Sequence, residues 1–188
     1  MKKENEKRVF LTDVQYESLL NKFGVKSKQP ERQITIYYNA NDIDLRFLQT
    51  PEYSELRMKL GEIHKGCCDE FEVKIEPEYT FDAMEIFGRL FDVKTKWYRE
   101  RIKIEKQPYI ICIDKSINYY AIFEVEISDK KIGEEEGKKL IKAYLQELGL
   151  EETPPEIQKK KYSDYISNWS KMTFPKDEQW LSYNKDEC

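Results

Sequence analysis

Glu4-Asn5-Glu6-Lys7-Arg8-Val9-Phe10-Leu11 is the stretch from which the fold of this chain is read. Successive side chains of a strand point to opposite faces, so Glu4, Glu6 and Arg8 share one face while Asn5, Lys7 and Val9 take the other. Alone, such a run is a charged end in water. It gains meaning because the same division recurs. Glu55, Arg57 and Lys59 alternate with Leu56, Met58 and Leu60; Glu70, Glu72 and Lys74 alternate with Phe71, Val73 and Ile75. Arg99, Arg101 and Lys103 place three cations on one face, the apolar run 109–114 ends in Asp114, and Glu124 and Glu126 stand opposite Phe123, Val125 and Ile127.

Between these strands the period changes. Thr12-Asp13 caps a short amphipathic helix over 14–23 that stops at Gly24, and 26–32 connects it to a strand over 33–38. Residues 43–46 are ambiguous. A loop over 61–69 joins the strands 55–60 and 70–76, residues 77–91 carry a helical apolar stripe, and 133–149 forms a helix closed by glycine. Pro154-Pro155 breaks the chain, and a last short helix covers 160–166. The expected division is one domain over 1–170 and a C-terminal tail over 171–188, with no internal repeat.

A chain of 188 residues can bury one sizeable core. Its 36% charged and 13% aromatic residues are too polar for a membrane protein and too aromatic for a disordered one. No apolar run approaches a spanning helix and the N-terminus lacks a signal-type apolar stretch, so a cytoplasmic location is expected. Cys67, Cys68, Cys112 and Cys188 are expected as free thiols; with His64 the single histidine, a zinc site lacks its usual ligands. A net charge of −4 argues against a surface built to track nucleic acid, so any cationic site must be local.

An open sheet would turn its charged face to water, whereas a closed barrel keeps a polar lumen and packs its apolar outer face under helices. The recurrence of one pattern in strand after strand favours the barrel. The lumen then holds the acids Glu4, Glu6, Glu72, Asp114, Glu124 and Glu126 and the bases Arg8, Arg57, Lys59, Lys74, Arg99, Arg101 and Lys103. Confining unpaired ions costs roughly several kcal/mol each, so they need partners or a ligand. Glutamates at strand spacing suit a hard cation such as Mg²⁺ or Mn²⁺, and arginine forks and lysine ammoniums suit phosphate oxygens. A metal-chelating polyanion such as a triphosphate meets both demands.

These residues resemble the CYTH domains of the triphosphate tunnel metalloenzyme superfamily, over roughly residues 2–165. Glu4-Asn5-Glu6-Lys7-Arg8 is similar to the family's opening Glu-x-Glu-x-Lys, with arginine in the fifth place. Arg57-Met58-Lys59 resembles its Arg-x-Arg/Lys pair, Glu72-Val73-Lys74 its lysine strand and Arg99-Glu100-Arg101 its next cationic strand. Asp114, the closing Glu124-Val125-Glu126 and the terminal Tyr162-Ser163-Asp164-Tyr165 complete the set. The resemblance implies an α+β fold, an eight-stranded antiparallel β-barrel forming a triphosphate tunnel, with helices packed outside. Its members include inorganic and thiamine triphosphatases, class IV adenylyl cyclases and RNA triphosphatases.

The leading expectation is divalent-metal-dependent hydrolysis of a small triphosphate, inorganic tripolyphosphate or a nucleoside triphosphate such as ATP. Glu4, Glu6 and Arg8 are the candidate catalytic residues. Glu4, Glu6, Asp114, Glu124 and Glu126 are the candidate metal ligands, and Arg8, Arg57, Lys59, Lys74, Arg99, Arg101 and Lys103 the candidate substrate cations. Glu72 and Tyr37 are further candidates. Adenylyl cyclase is the alternative enzyme, although no base-reading motif is visible. Binding without turnover is the non-enzymatic alternative, because Arg8 stays charged where a lysine could act as a base. The acidic balance disfavours an RNA 5′-triphosphatase. Arg46, Lys94 and Lys96 read as solvated residues at the rim, and the oligomeric state, monomer or homodimer, is open.

Overall fold

The computed structural model describes residues 2–3, 6–41, 43–61, 69–129 and 131–182. Glu4 of the opening motif, His64, Cys67, Cys68 and Cys188 lie outside the described residues; Cys112 is a buried free thiol, as expected. The strands are β1 (Lys2–Lys3), β2 (Glu6–Leu11), β3 (Glu31–Ala40), β4 (Ile43–Gln49), β5 (Ser54–Leu60), β6 (Asp69–Ile75), β7 (Val93–Lys106), β8 (Tyr109–Ser116) and β9 (Ala121–Ile127). They form one antiparallel sheet in the order β1-β6-β5-β4-β3-β7-β8-β9-β2.

The two ends of that order are β1 and β2, which only residues 4–5 separate. So short a connection spans at most about 11 Å. The sheet must therefore curl until its edges approach one another, with Lys2 and Lys3 opposite Glu70 and Asp69, and Glu6 to Leu11 opposite Glu126 to Ala121. Taken as one interrupted strand, β1 and β2 give the eight antiparallel strands expected from the alternation. The ambiguous residues 43–46 open β4, which pairs with β3 on one side and β5 on the other.

The helices are α1 (Asp13–Lys22), α2 (Thr80–Leu90), α3 (Glu134–Glu147), α4 (Pro155–Asn168) and α5 (Asp177–Leu181). Thr12 caps α1 by accepting from the Gln15 N–H, while the Gln15 side chain accepts from the Thr12 N–H. Pro154-Pro155 begins a helix instead of only breaking the chain. Proline at the first helical position loses no hydrogen bond, so α4 runs much longer than the expected 160–166.

Two apolar clusters cover the outer face of the sheet. One packs α1 and α3 over β2, β8 and β9, with Phe123, Ile111, Ile113 and Ile141 fully enclosed. The other sets Met84 and Phe87 of α2 against Ile34, Ile36 and Phe47. The segment after residue 171 joins this second cluster. Phe174 stacks on Tyr98, Asp177 accepts from Tyr98 and Lys96, and the Trp180 indole donates to the Gln33 carbonyl. Among the described residues no helix is long and apolar enough to cross a membrane.

Candidate functional site

With the apolar parity turned outward, the charged parity of every long strand faces inward. A cavity of about 540 Å³ is lined by Glu6 and Arg8 of β2, Arg57 and Lys59 of β5, Glu72 and Lys74 of β6, Arg99, Arg101 and Lys103 of β7, and Glu124 and Glu126 of β9. Among the described residues its lining carries nine Lys or Arg side chains against seven Glu, so a chain of net charge −4 gathers a dense set of cations at this one place. Lys7, of the opposite parity, points outward and pairs with Glu152 at 2.7 Å.

The cations are held in place by carboxylates. Asp114, only 2% exposed, accepts from Arg101 Nε at 2.8 Å and Arg101 Nη2 at 2.6 Å, and from Arg99 Nη1 at 3.3 Å. Glu124 accepts from Arg8 at 2.9 Å and from Arg101 at 3.4 Å. Arg8 also pairs with Glu6, Arg57 with Glu55 and Glu72, and the buried Lys59 with Glu70 at 3.2 Å. Lys103 and Lys74 are looser. Lys103 pairs with Glu105 at the solvent side, and Lys74 lies 5.3 Å from the Tyr53 ring centre.

These pairings set the ionisation of the site. Burial disfavours the Glu124 anion, but Arg101, Arg8 and Arg99 outweigh it and hold its pKa far below the usual carboxylate range. Burial also opposes the charge on Arg8, and Glu6 with Glu124 reverses the balance, keeping its pKa above the ordinary arginine value. Arg99 is the exception: burial and the neighbouring Arg101 lower its pKa more than Asp114 and Glu124 raise it. Burial pushes the Cys112 thiol up to about 12, so it is no nucleophile at neutral pH.

The expectation for Arg46, Lys94 and Lys96 changes. Arg46 is no rim residue: it lines the lumen, ion-pairs with Asp44 and lies 4.8 Å from the Tyr37 ring centre. The ambiguous period of 43–46 had hidden its parity. Lys94 lines the smaller cavity beside Tyr162, while Lys96 is held by Asp177.

That smaller cavity, about 260 Å³, shares Arg8, Arg46, Arg99 and Glu124 with the larger one, so the two are halves of one tunnel. Its walls set aromatic rings beside charged side chains such as Asp44, Lys94 and Asp114. Tyr37 and Trp97 face Tyr162 of α4 at 6.1 and 5.9 Å between ring centres, and Tyr119 meets Trp97 edge-on at 4.5 Å. Tyr165 is buried beside Trp97 and donates to the Lys96 carbonyl at 2.7 Å, which seats α4 across this end of the tunnel. Tyr37, expected as a packing residue or ligand contact, belongs to this wall.

The donor set fits a hard divalent cation in a particular way. Glu6 and Glu126 are directly opposed across the β2–β9 pair, and both line the larger cavity. Among the described residues no group of three or more Asp, Glu, His or Cys converges on one point. Both oxygens of Asp114, an expected further ligand, already accept from guanidiniums. Two carboxylates suit Mg²⁺ or Mn²⁺ when phosphate oxygens and waters supply the remaining positions.

No family model matches this chain, and no curated protein matches it. Solved structures do. A protein of Pyrococcus horikoshii is 20% identical with a TM-score of 0.63, over 79% of this chain and 91% of its own. A candidate adenylate cyclase of Bacillus halodurans is 14% identical with a TM-score of 0.63, over 97% of this chain and 100% of its own. An adenylyl cyclase homologue of Hippeastrum, reported to have a dominant triphosphatase activity, is 14% identical with a TM-score of 0.59, over 81% of this chain and 90% of its own. The fold of this chain is theirs, a curled antiparallel sheet with helices packed on its outer face.

Proposed function

We propose that this chain is a cytoplasmic, divalent-metal-dependent triphosphatase that works inside its tunnel. The observation that carries this reading is the pairing of Arg99 and Arg101 on Asp114, and of Arg8 and Arg101 on Glu124, which gathers three guanidiniums at one place in the lumen. Guanidiniums presented in this way suit the oxygens of a polyphosphate. Arg8, Arg46, Arg57, Arg99, Arg101 and Lys59 grip the chain of phosphates, with Lys74 and Lys103 toward the solvent side. Glu6 and Glu126, with Glu4 from the same motif, would hold Mg²⁺ or Mn²⁺, which would polarise the phosphoryl oxygens.

Hydrolysis requires a water to attack the terminal phosphorus in line while the bond to the bridging oxygen breaks. A lumen carboxylate orients that water. The arginines stabilise the charge that spreads over the phosphoryl oxygens, and their surroundings fix them before the reaction begins. Arg8 binds and orients only, since it does not deprotonate. Burial raises the pKa of Tyr119 and of Tyr162, so neither supplies a base.

The aromatic half of the tunnel supports a second reading, cyclisation of ATP. There the adenine would lie among Tyr37, Trp97 and Tyr162, and the ribose 3′-hydroxyl would displace pyrophosphate. Both readings are tested by incubating the purified chain with tripolyphosphate, ATP and other nucleoside triphosphates plus Mg²⁺ or Mn²⁺, and identifying the products. Orthophosphate supports hydrolysis, and cyclic AMP with pyrophosphate supports the second reading. No product from any triphosphate with either metal removes both and leaves a binding protein.

A further inference from the structure

We infer that Gln33 is a positioning residue of the tunnel, an uncharged side chain that aims the Arg99 guanidinium while leaving its charge for a phosphate ligand. The inference rests on the triphosphate reading of the lumen for the nature of that ligand. Gln33 and Arg99 stand directly opposite each other in the β3–β7 pair, and both line the larger cavity. Gln33 is 3% exposed, and its Oε1 accepts from Arg99 Nε at 2.7 Å. Its Nε2 donates to the carboxylate of Glu31, on the same face of the strand. The backbone is fixed here from the outer side, where the Trp180 indole donates to the Gln33 carbonyl at 3.1 Å.

A guanidinium offers only donors and a carboxylate only acceptors, so a residue between them must accept on one side and donate on the other. A primary amide does both at once, which also fixes its oxygen toward Arg99. This sets Arg99 apart from the other lumen arginines. Arg8, Arg46, Arg57 and Arg101 make their closest contacts with carboxylates. Arg99 reaches Asp114 only at 3.3 Å, on an oxygen that Arg101 holds at 2.6 Å, and its short bond goes to the neutral Gln33. A carboxylate fixes a guanidinium and cancels much of its charge, whereas an amide fixes it and cancels none. Burial and the nearby Arg101 therefore still weigh on Arg99 and lower its pKa. Such a group gains more from an incoming anion than one already ion-paired, and Arg99 lines both cavities, where a bound polyphosphate would reach it.

The test exchanges the two side chains. Glu31→Gln/Gln33→Glu keeps the net charge and the hydrogen-bond pattern of the lumen but moves the carboxylate onto Arg99. With tripolyphosphate and Mg²⁺ the exchanged protein should lose about tenfold in kcat/KM, chiefly through a raised KM. In isotope-labelled protein without ligand, the Arg99 Nε–H resonance, assigned by its loss in Arg99→Lys, should move in Gln33→Met, with circular dichroism confirming that each variant folds. A folded exchanged protein with the parent's kcat/KM overturns the inference, because a merely structural Gln33 would tolerate the exchange. An Arg99 resonance that Gln33→Met leaves unmoved overturns it as well, and decides alone if the exchanged protein does not fold. A parent protein without triphosphatase activity removes the proposed function and not the hold of Gln33 on Arg99, which the resonance reads in the absence of any ligand.

Discussion

The two halves of the tunnel are built from the same strands yet hold different chemistry. Toward β5 and β6 the walls are ionic, with guanidiniums and ammoniums laced by carboxylates around about 540 Å³. Toward α4 the space is about 260 Å³, and the walls add the rings of Tyr37, Trp97, Tyr119 and Tyr162 to charged groups that include Asp44, Lys94 and Asp114. Between them sit Arg8, Arg46, Arg99 and Glu124, common to both. On the proposed function, the contrast would separate two tasks that a triphosphate substrate presents. Phosphate recognition would belong to the ionic half, and discrimination among organic groups to the half that adds aromatic rings.

The sharpest way to break this division is at Arg101. Its guanidinium bridges Asp114 and Glu124, so truncation would remove a proposed phosphate grip and leave two buried carboxylates without their shared partner. Arg101→Ala should lower kcat/KM by about 100- to 1000-fold for tripolyphosphate and nucleoside triphosphates alike. A loss confined to nucleotides would place Arg101 in discrimination instead, against the comparison.

A smaller, selective effect belongs to the other half. Tyr162 contributes a ring but no charge, and stacking on one aromatic side chain is worth about 1–3 kcal/mol per base. Tyr162→Leu should therefore weaken turnover of nucleoside triphosphates by roughly tenfold while leaving tripolyphosphate hydrolysis within about twofold. Equal losses for both substrates would mean that Tyr162 only seats α4. No loss for either would remove the aromatic half from substrate recognition.

The sequence foretold the two halves unequally, for a physical reason. Charge alternating at period two in strands β2, β5, β6, β7 and β9 favours a curled sheet with a polar interior over an open one, and Arg8, Arg57, Lys59, Lys74, Arg99, Arg101 and Lys103 do line the larger cavity. The aromatic half is assembled from distant pieces. Tyr162 comes from a helix whose start was hidden behind two prolines, and Arg46 from a strand whose first residues matched neither period. Tyr37 and Trp97 sit at lumen parity, but aromatic residues are equally at home in packing, so parity alone gives them no role. The carboxylates were legible as residues and not as partners. Asp114 read as the acid that ends an apolar strand, a further candidate metal ligand by resemblance, and only the folded chain brings Arg99 and Arg101 to its oxygens.

The smallest expected effect concerns stability and tests whether the ionic half is bound together before any ligand arrives. Burial alone would raise the pKa of Glu124; Arg101, Arg8 and Arg99 instead depress it well below its unfolded value. A depressed carboxylate contributes stability above the unfolded pKa, and that contribution is lost as pH falls toward the folded one. The unfolded chain takes up its proton first, near the ordinary glutamate value of about 4.3. Between neutral pH and pH 3 the Glu124 pairing should therefore forfeit on the order of 1–2 kcal/mol. Urea unfolding of the parent protein and of Glu124→Gln, followed across this range, reads the quantity directly. The parent's advantage over the variant should hold above about pH 5 and shrink below it. An advantage that stays constant down to pH 3 would mean that Glu124 has no net bond to its arginines in the ligand-free protein, and that the ionic half is ordered by substrate rather than before it.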